Sequence, residues 1–401
     1  MRGEGKELAS VLIGIEGADP ADITEVTPRE VILGESLLTP GLQTSVKVHS
    51  FLHNTPTKWF DRFKGKGLKI EISKQILAEL GMQDSMTVNQ KIYRLDNRKL
   101  INNNTEEFTL RACDQSQLND AEALISKSWK CTTPSEIVDY ALNSCAGVSE
   151  SQIQGSQPAR DYIAENIHPF QVVSQQASYA LDGDDPSFVH FMTYNEINGN
   201  GVHHFESLKA MAAQAPIMSF TYNETNTTYL DPTSIMTYSF PCDFDLLSDI
   251  LNGVNGSGSD VNSIALLNPL LKTFSLLGND SYGCGVGSAV FKMAISNMNS
   301  AQQQDACPDY ASVYLLKRQA RMGLLEKDKI ALRVVVPFNP ILHAGKVINI
   351  RLYNKDSIPS LTPLYGSGDY LVLHMFHHIL TGGLATTVMD CVSSTVGRGE
   401  V

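Results

Sequence analysis

The sequence predicts an α+β fold, mainly β: two similar β-barrel-like domains, a small inserted α/β domain and an additional irregular subdomain. Three observations predict it. Gly345 opens the run Lys346 to Leu352, where Ile348, Ile350 and Leu352 alternate with Asn349 and Arg351, the period of a half-buried strand. Gly67 opens Leu68 to Ile72, in which Leu68, Ile70 and Ile72 alternate with Lys69 and Glu71 in the same way. A hairpin follows each. Tyr370 to Ile379 turns at Gly382-Gly383 and returns through Leu384 to Val392, and Ile92 to Ile101 turns at Asn102-Asn103-Asn104 and returns from Glu107 to Arg111. Gly and Asn accept the positive φ that tight hairpins need. Two such modules far apart in one chain describe a duplicated scaffold rather than a catalyst built around one cleft.

In chain order, residues 1–22 are charged and Gly-containing with a short apolar stretch at Val11-Leu12-Ile13, and read as an arm. Residues 23–113 form the first barrel-like domain, with strand segments up to Phe51, cleanest at Val46, Val48 and Ser50, and a short helix from Ser73 to Leu80 stopped by Gly81. Residues 114–215 form the inserted α/β domain. There, Thr133-Pro134-Ser135-Glu136 combines an N-cap, a proline at the first helical position and a capping-box glutamate. A second helix is expected from Pro169 to Leu181, then a strand from Phe188 to Tyr194, a turn at Asn198 to Gly201, and a strand from His203 to Phe205. Residues 216–329 are the irregular, partly helical subdomain that includes the start of the second barrel. The loop Asn252 to Ser259, apolar stretches within Leu266 to Leu277, and a helix from Pro308 to Gly323 fall here. Residues 330–401 complete the second barrel, with a strand from Ile330 to Val336 ended by Pro337.

A chain of 401 residues with net charge −12 and 42% hydrophobic residues suits several packed domains. It offers no concentrated basic surface for holding DNA; the densest group, Lys58, Arg62, Lys64 and Lys66, reads as a solvated face. The charged start, Met1 to Glu7, lacks the apolar core of a secretory signal, and no run is long enough to span a bilayer, so folding in a reducing cytoplasm is expected. Seven cysteines without a C-x-x-C pair then read as reduced, mostly buried thiols. The triplets at Asn223, Asn226, Asn255 and Asn279 mark polar loops.

The histidines are the first candidates for chemistry. His374, His377 and His378 form H-x-x-H-H, but a strand sends His377 to the face opposite His374 and His378, and surface or interface roles are expected. His203 and His204 diverge likewise, and Glu206 reads as the start of a helix. The glycine run Tyr282 to Ser288 lacks the Gly-Lys-Ser/Thr ending of a phosphate loop, and Asp182-Gly183-Asp184-Asp185 lacks the spaced glutamate of a calcium loop. No catalytic, cofactor or metal residue is nominated, and no enzyme is expected. The competing reading is a metal-dependent or cell-wall-degrading hydrolase using His203, Glu206 or the His374 to His378 group.

Four segments, Ile32 to Phe51, Leu68 to Asp114, His168 to Tyr194 and Gly366 to Ser394, together with Phe205-Glu206-Ser207-Leu208, resemble the baseplate hub protein of contractile, T-even-type phage tails in pattern and order. The resemblance implies a homotrimer in which two barrels per chain make a ring of six. Such a ring would join a sixfold tail tube, or its initiator, to a threefold central spike, with the inserted domain facing spike or baseplate wedge proteins. It implies a virion protein made in the host cytoplasm and an acidic channel through which DNA passes without specific binding. The segment from Ser219 to Asn299 and the N-terminal arm have no counterpart in that pattern.

Overall fold

The computed structural model describes residues 9–16, 26–51, 63–74, 81–103, 105–183, 185–195, 197–222, 231–241, 332–353 and 366–393, with Leu77, Arg318 and the backbone of 262–268, 273–278 and 290–295. The chain runs β1 (Ser10–Ile15), β2 (Val26–Ser36), β3 (Gln43–Phe51), β4 (Gly67–Ser73), β5 (Ser85–Asn102) and β6 (Thr105–Cys113). Then come α1 (Gln115–Glu122), β7 (Ile125–Thr132), α2 (Pro134–Asp139) continued by a π-helical turn (Tyr140–Cys145), β8 (Ser151–Ile153), β9 (Arg160–Ile167) and α3 (Pro169–Ala177). Next are β10 (Phe188–Tyr194), β11 (Gly201–Ser207), α4 (Leu208–Ala212), β12 (Ser219–Tyr222), β13 (Thr237–Ser239), β14 (Asn262–Asn268), β15 (Thr273–Gly278) and β16 (Val290–Ile295). The chain closes with β17 (Leu332–Pro337), β18 (Val347–Leu352), β19 (Gly368–Leu380) and β20 (Ala385–Val392).

The duplication is visible strand by strand. In the first module the ladder order is β1-β4-β5-β6-β3-β2, and in the second β12-β18-β19-β20-β17-β13. The local details repeat as well. Gly65 N–H bonds Ile92 O and Ile92 N–H bonds Lys66 O, while Gly345 N–H bonds Val372 O and Val372 N–H bonds Lys346 O. Both glycines have positive φ, +71° and +81°, and a bulge follows Ile92 in one module and Val372 in the other. One pairing differs: β1 is antiparallel to β4, whereas β12 is parallel to β18. Each module curls its apolar face round a core, Val31, Val46, Ile70, Val88 and Leu110 in the first, and Val334, Ile348, Ile350, Tyr370 and Met389 in the second.

The inserted domain has its own core, to which Ile137, Leu142, Val172 and Val173 belong. Both halves of the Thr133 capping box form: the Thr133 side chain takes the Glu136 N–H, and Glu136 takes the Thr133 N–H. Thr133→Ala is expected to lower stability by about 1 kcal/mol, read by denaturant unfolding, since it orphans a helix N–H. The helix from Pro169 ends at Ala177, short of Leu181, because Leu181 turns away to bridge Gln157. α1 was not anticipated, although Asp114 caps it with Gln117 in the same box pattern.

Several expectations change. The segment read as an arm supplies β1, whose Val11 and Ile15 enter the first core against β4; its alternation was too short to register in sequence. Ser73 ends β4 instead of starting a helix, and Leu77 alone of the following helical stretch is described. Cys131, exposed at a β-bulge, is disulfide-bonded to a partner outside the described residues, against the expectation of reduced thiols. Spacing cannot reveal a pairing made by distant segments meeting in space. Cys113, Cys145 and Cys391 are free. Part of the stretch expected to be irregular forms a three-stranded sheet, β15-β14-β16. The helix expected at 308–323 lies outside the described residues except for Arg318, which is helical and donates to Pro186 O and Phe188 O.

Candidate interaction surface

Of the sequence candidates for chemistry, His203 and His377 are built into the interior. His203 points inward from β11 and His190 from the neighbouring β10, with Nε2 of His190 3.0 Å from Nδ1 of His203. Nε2 of His203 lies 2.9 Å from Ser116 Oγ, and Ser116 donates to Asp114 Oδ1 at 2.5 Å. Ser116 has one hydroxyl proton and spends it on Asp114, so His203 must donate to Ser116 and His190 to His203. Asp114 also receives the Ser116 and Gly201 N–H groups. Burial pushes His203 down to about 4 and His190 well below the usual histidine range. The order Asp-Ser-His-His is that of a structural chain: the hydroxyl is held by the carboxylate instead of being activated by the imidazole.

His204 faces the other way, stacked on Phe191 at 4.7 Å and bonded to Thr193 Oγ1 at 2.8 Å. Glu206 shares the His204 side of β11 and is a strand residue, since Ser207 caps α4 in its place. His203 and Glu206 are therefore not brought together. His377, expected at the surface, is fully buried, bonded to Thr387 Oγ1 at 2.8 Å, and burial pushes it down to about 3. His374 and His378 lie on the opposite face as the strand parity required, and His378 meets Glu30 at 2.7 Å. Among the described residues no group of three or more His, Cys, Asp or Glu could hold a metal. Asp182 and Asp185 bridge a turn at Gly183, where Asp182 accepts the Ser207 hydroxyl and Asp185 that of Ser187. Lys64 and Lys66 are exposed, as a solvated face requires, whereas Lys58, Arg62 and the glycine run Tyr282 to Ser288 lie outside the described residues.

What the fold does present is one continuous sheet. β2 pairs with β3 on one edge and with β19 on the other, so the order β5-β6-β3-β2-β19-β20-β17-β13 crosses both modules without a break. One face covers the two cores. The other carries Arg94, Asp96 and Lys99 from β5, Glu107 and Arg111 from β6, Lys47 from β3, Glu30 from β2, Asp390 from β20 and Arg333 from β17. Five of its cations share three carboxylates: Lys47 and Lys99 meet Glu107 at 3.5 and 2.7 Å, Arg94 and Arg111 meet Asp96 at 2.5 Å, and Arg333 meets Asp390 at 2.6 Å. The bond from Lys99 and its other partners hold Glu107 down at about 2. The described charges of this face are thus mixed, with cations at least as numerous as carboxylates.

The junction of the modules is tied from beneath by Glu35 on β2. Its carboxyl oxygens accept Tyr194 N–H at 2.8 Å, Ala344 N–H at 2.8 Å and stand 2.9 Å from His343 Nδ1. Tyr194 ends β10, the strand whose seven residues are all buried. Phe188 enters the inserted core, Val189 and Phe191 the second-module core, and Met192 and Tyr194 the first.

No protein-family model matches the sequence, and no curated protein matches it. Solved structures do. The tail protein from Neisseria meningitidis MC58 superposes with a TM-score of 0.57 at 9% identity, over 97% of this chain and 98% of that one. The chain has the fold of this tail protein. The 43 kDa tail protein of prophage MuSo2 from Shewanella oneidensis gives 0.54 at 9% identity, covering 95% of this chain and 97% of its own. An E. coli type VI secretion component, c3393, described as structurally similar to the T4 tail proteins gp27 and gp5, gives 0.52 at 10% identity over 96% of this chain and 78% of that one. The tail-protein fold agrees with the hub-like pattern read from the sequence, and it spans both modules and the insertion.

Proposed function

We propose that this chain is a structural hub of a contractile tail baseplate, three copies of which close a ring of six β-modules between a sixfold tail tube and a threefold spike. The observation that carries the reading is the repeated ladder with β2 as the joint. Two modules in one chain, linked by strand pairing instead of a flexible linker, let a threefold assembly present six similar faces. The tail-protein fold supports a place in the tail, with tube or tube-initiator, spike and wedge proteins as neighbours. The pairing of the named cations of the shared face with carboxylates supports a channel that lets DNA pass without holding it, because phosphate binding is strongest where cations are free of such partners. The role is architectural and not catalytic.

The native mass of the purified protein, alone and with its spike candidate, tests this. A threefold mass, with class averages showing six similar densities round a channel, is expected. A monomer in both conditions, or one that clears cell-wall substrate, would overturn it.

A further inference from the structure

The joint between modules inside the chain has a counterpart that no strand among the described residues fills. We propose that β13 of one copy adds antiparallel to the open edge of β5 in the next, placing Ser239, Tyr238 and Thr237 opposite Lys99, Leu100 and Ile101. This rests on the trimeric hub reading and gives its subunit contact a register.

The long strand of each module uses one edge in two halves. On β19, residues 368 to 371 pair with β18, and residues 374 to 380 pair with β2. On β5, residues 85 to 91 pair with β4, but among the described residues no strand takes the same edge from Arg94 to Ile101. The two strands align through their common hairpin partners. Lys99 stands opposite Glu107 and His378 opposite Thr386; Leu100 stands opposite Glu106 and Ile379 opposite Ala385. Ile379 is 0% exposed beneath β2, whereas its equivalent Leu100 is 60% exposed, with Ile101 at 48% and Tyr93 at 50%. An apolar edge left open in this way is a template for another strand.

The missing strand is identified by the same repeat. β13 holds in the second module the place that β2 holds in the first: β2 pairs with β3, and β13 pairs with β17. Thr237, Tyr238 and Ser239 occupy the positions of Glu30, Val31 and Ile32. β13 is also the last strand of the ordered path, with its outer edge unpaired among the described residues. Inside the chain, Glu30, Val31 and Ile32 face Leu380, Ile379 and His378. Carrying that pairing across to the next copy yields the stated register. The contact is head-to-tail, the kind that closes into a ring.

Lys99→Cys with Ser239→Cys, both at exposed positions, provides the test in the full-length protein. Mild oxidation is expected to convert the double variant to covalent trimer, while either single variant stays a single-chain band under non-reducing conditions. In parallel, Leu100→Arg is expected to lose the threefold native mass while keeping the unfolding midpoint of the single chain. A threefold mass without cross-linking, or Leu100→Arg trimers as abundant as the parent's, would overturn this register and leave the hub reading standing. A monomeric parent, with and without spike, would overturn both.

Discussion

Lowering the pH from 7 to 5 is expected to remove roughly 2 kcal/mol of stability for each of His203 and His377, with a further loss from His190. All three are buried, and burial holds their folded-state affinity for protons down, to about 4 for His203, about 3 for His377 and well below the usual value for His190. In the unfolded chain each takes up a proton near pH 6.5. The sign follows: well above pH 6.5 neither state is protonated and stability is full. As pH falls from 6.5 toward the folded values, only the unfolded state gains protons, so stability is lost. Glu107 adds a second loss lower down, below about 4.5, because its partners hold it at about 2 when folded. Urea unfolding at pH 7, 6 and 5 would show the midpoint falling, and His377→Gln should remove about one histidine's share of the slope. A midpoint flat between pH 7 and 5 would show that these imidazoles are not shut away from water.

Phe191→Ala is expected to lower stability by about 3–5 kcal/mol, the range for emptying a buried aromatic site. Phe191 is buried in the second-module core, stacks on His204, and lies so close to Gly345 that a Cβ there would sit 2.8 Å from its ring. That glycine has φ +81° and no side chain, so it brings no side-chain atoms into the space. Because β10 contributes to all three cores, the loss should be shared instead of confined to one module. In a Trp59→Phe background, fluorescence from Trp129, which packs on the inserted core, and far-ultraviolet circular dichroism should shift together. A shift in the dichroism alone would mean that the insertion is stable without the strand.

The repeated hairpins were legible because their residues alternate faces cleanly and their turns carry Gly or Asn. Phe188–Tyr194 was placed to the residue, although its burial on both faces was not foreseen. The Thr133 cap was legible because its chemistry is local. What stayed hidden was long-range. Nothing in Glu35 announces that its carboxyl joins Tyr194 to Ala344, since the three residues are brought together only by tertiary structure. His377 was misplaced because strand parity shows which residues share a face but not which face is buried; the parity was right and the side was wrong. The open edge of β5 was equally invisible, because an exposed Leu100 and a buried Ile379 read alike in one dimension.

The strand pairing of Glu30–Ser36 with His374–Leu380 also sets when this chain can finish folding. The first core contains Phe338, Ile379 and Ala385, so the module that leaves the ribosome first stays incomplete until residue 385 has followed it. Folding in vectorial order, start before end, is unavailable to this topology. The closing step must instead bring together segments separated by most of the polypeptide, the kind of contact that makes folding slow. Until then the apolar edge of β2 is bare, and a nascent chain would rely on holding partners or low local concentration to avoid pairing with its siblings too early.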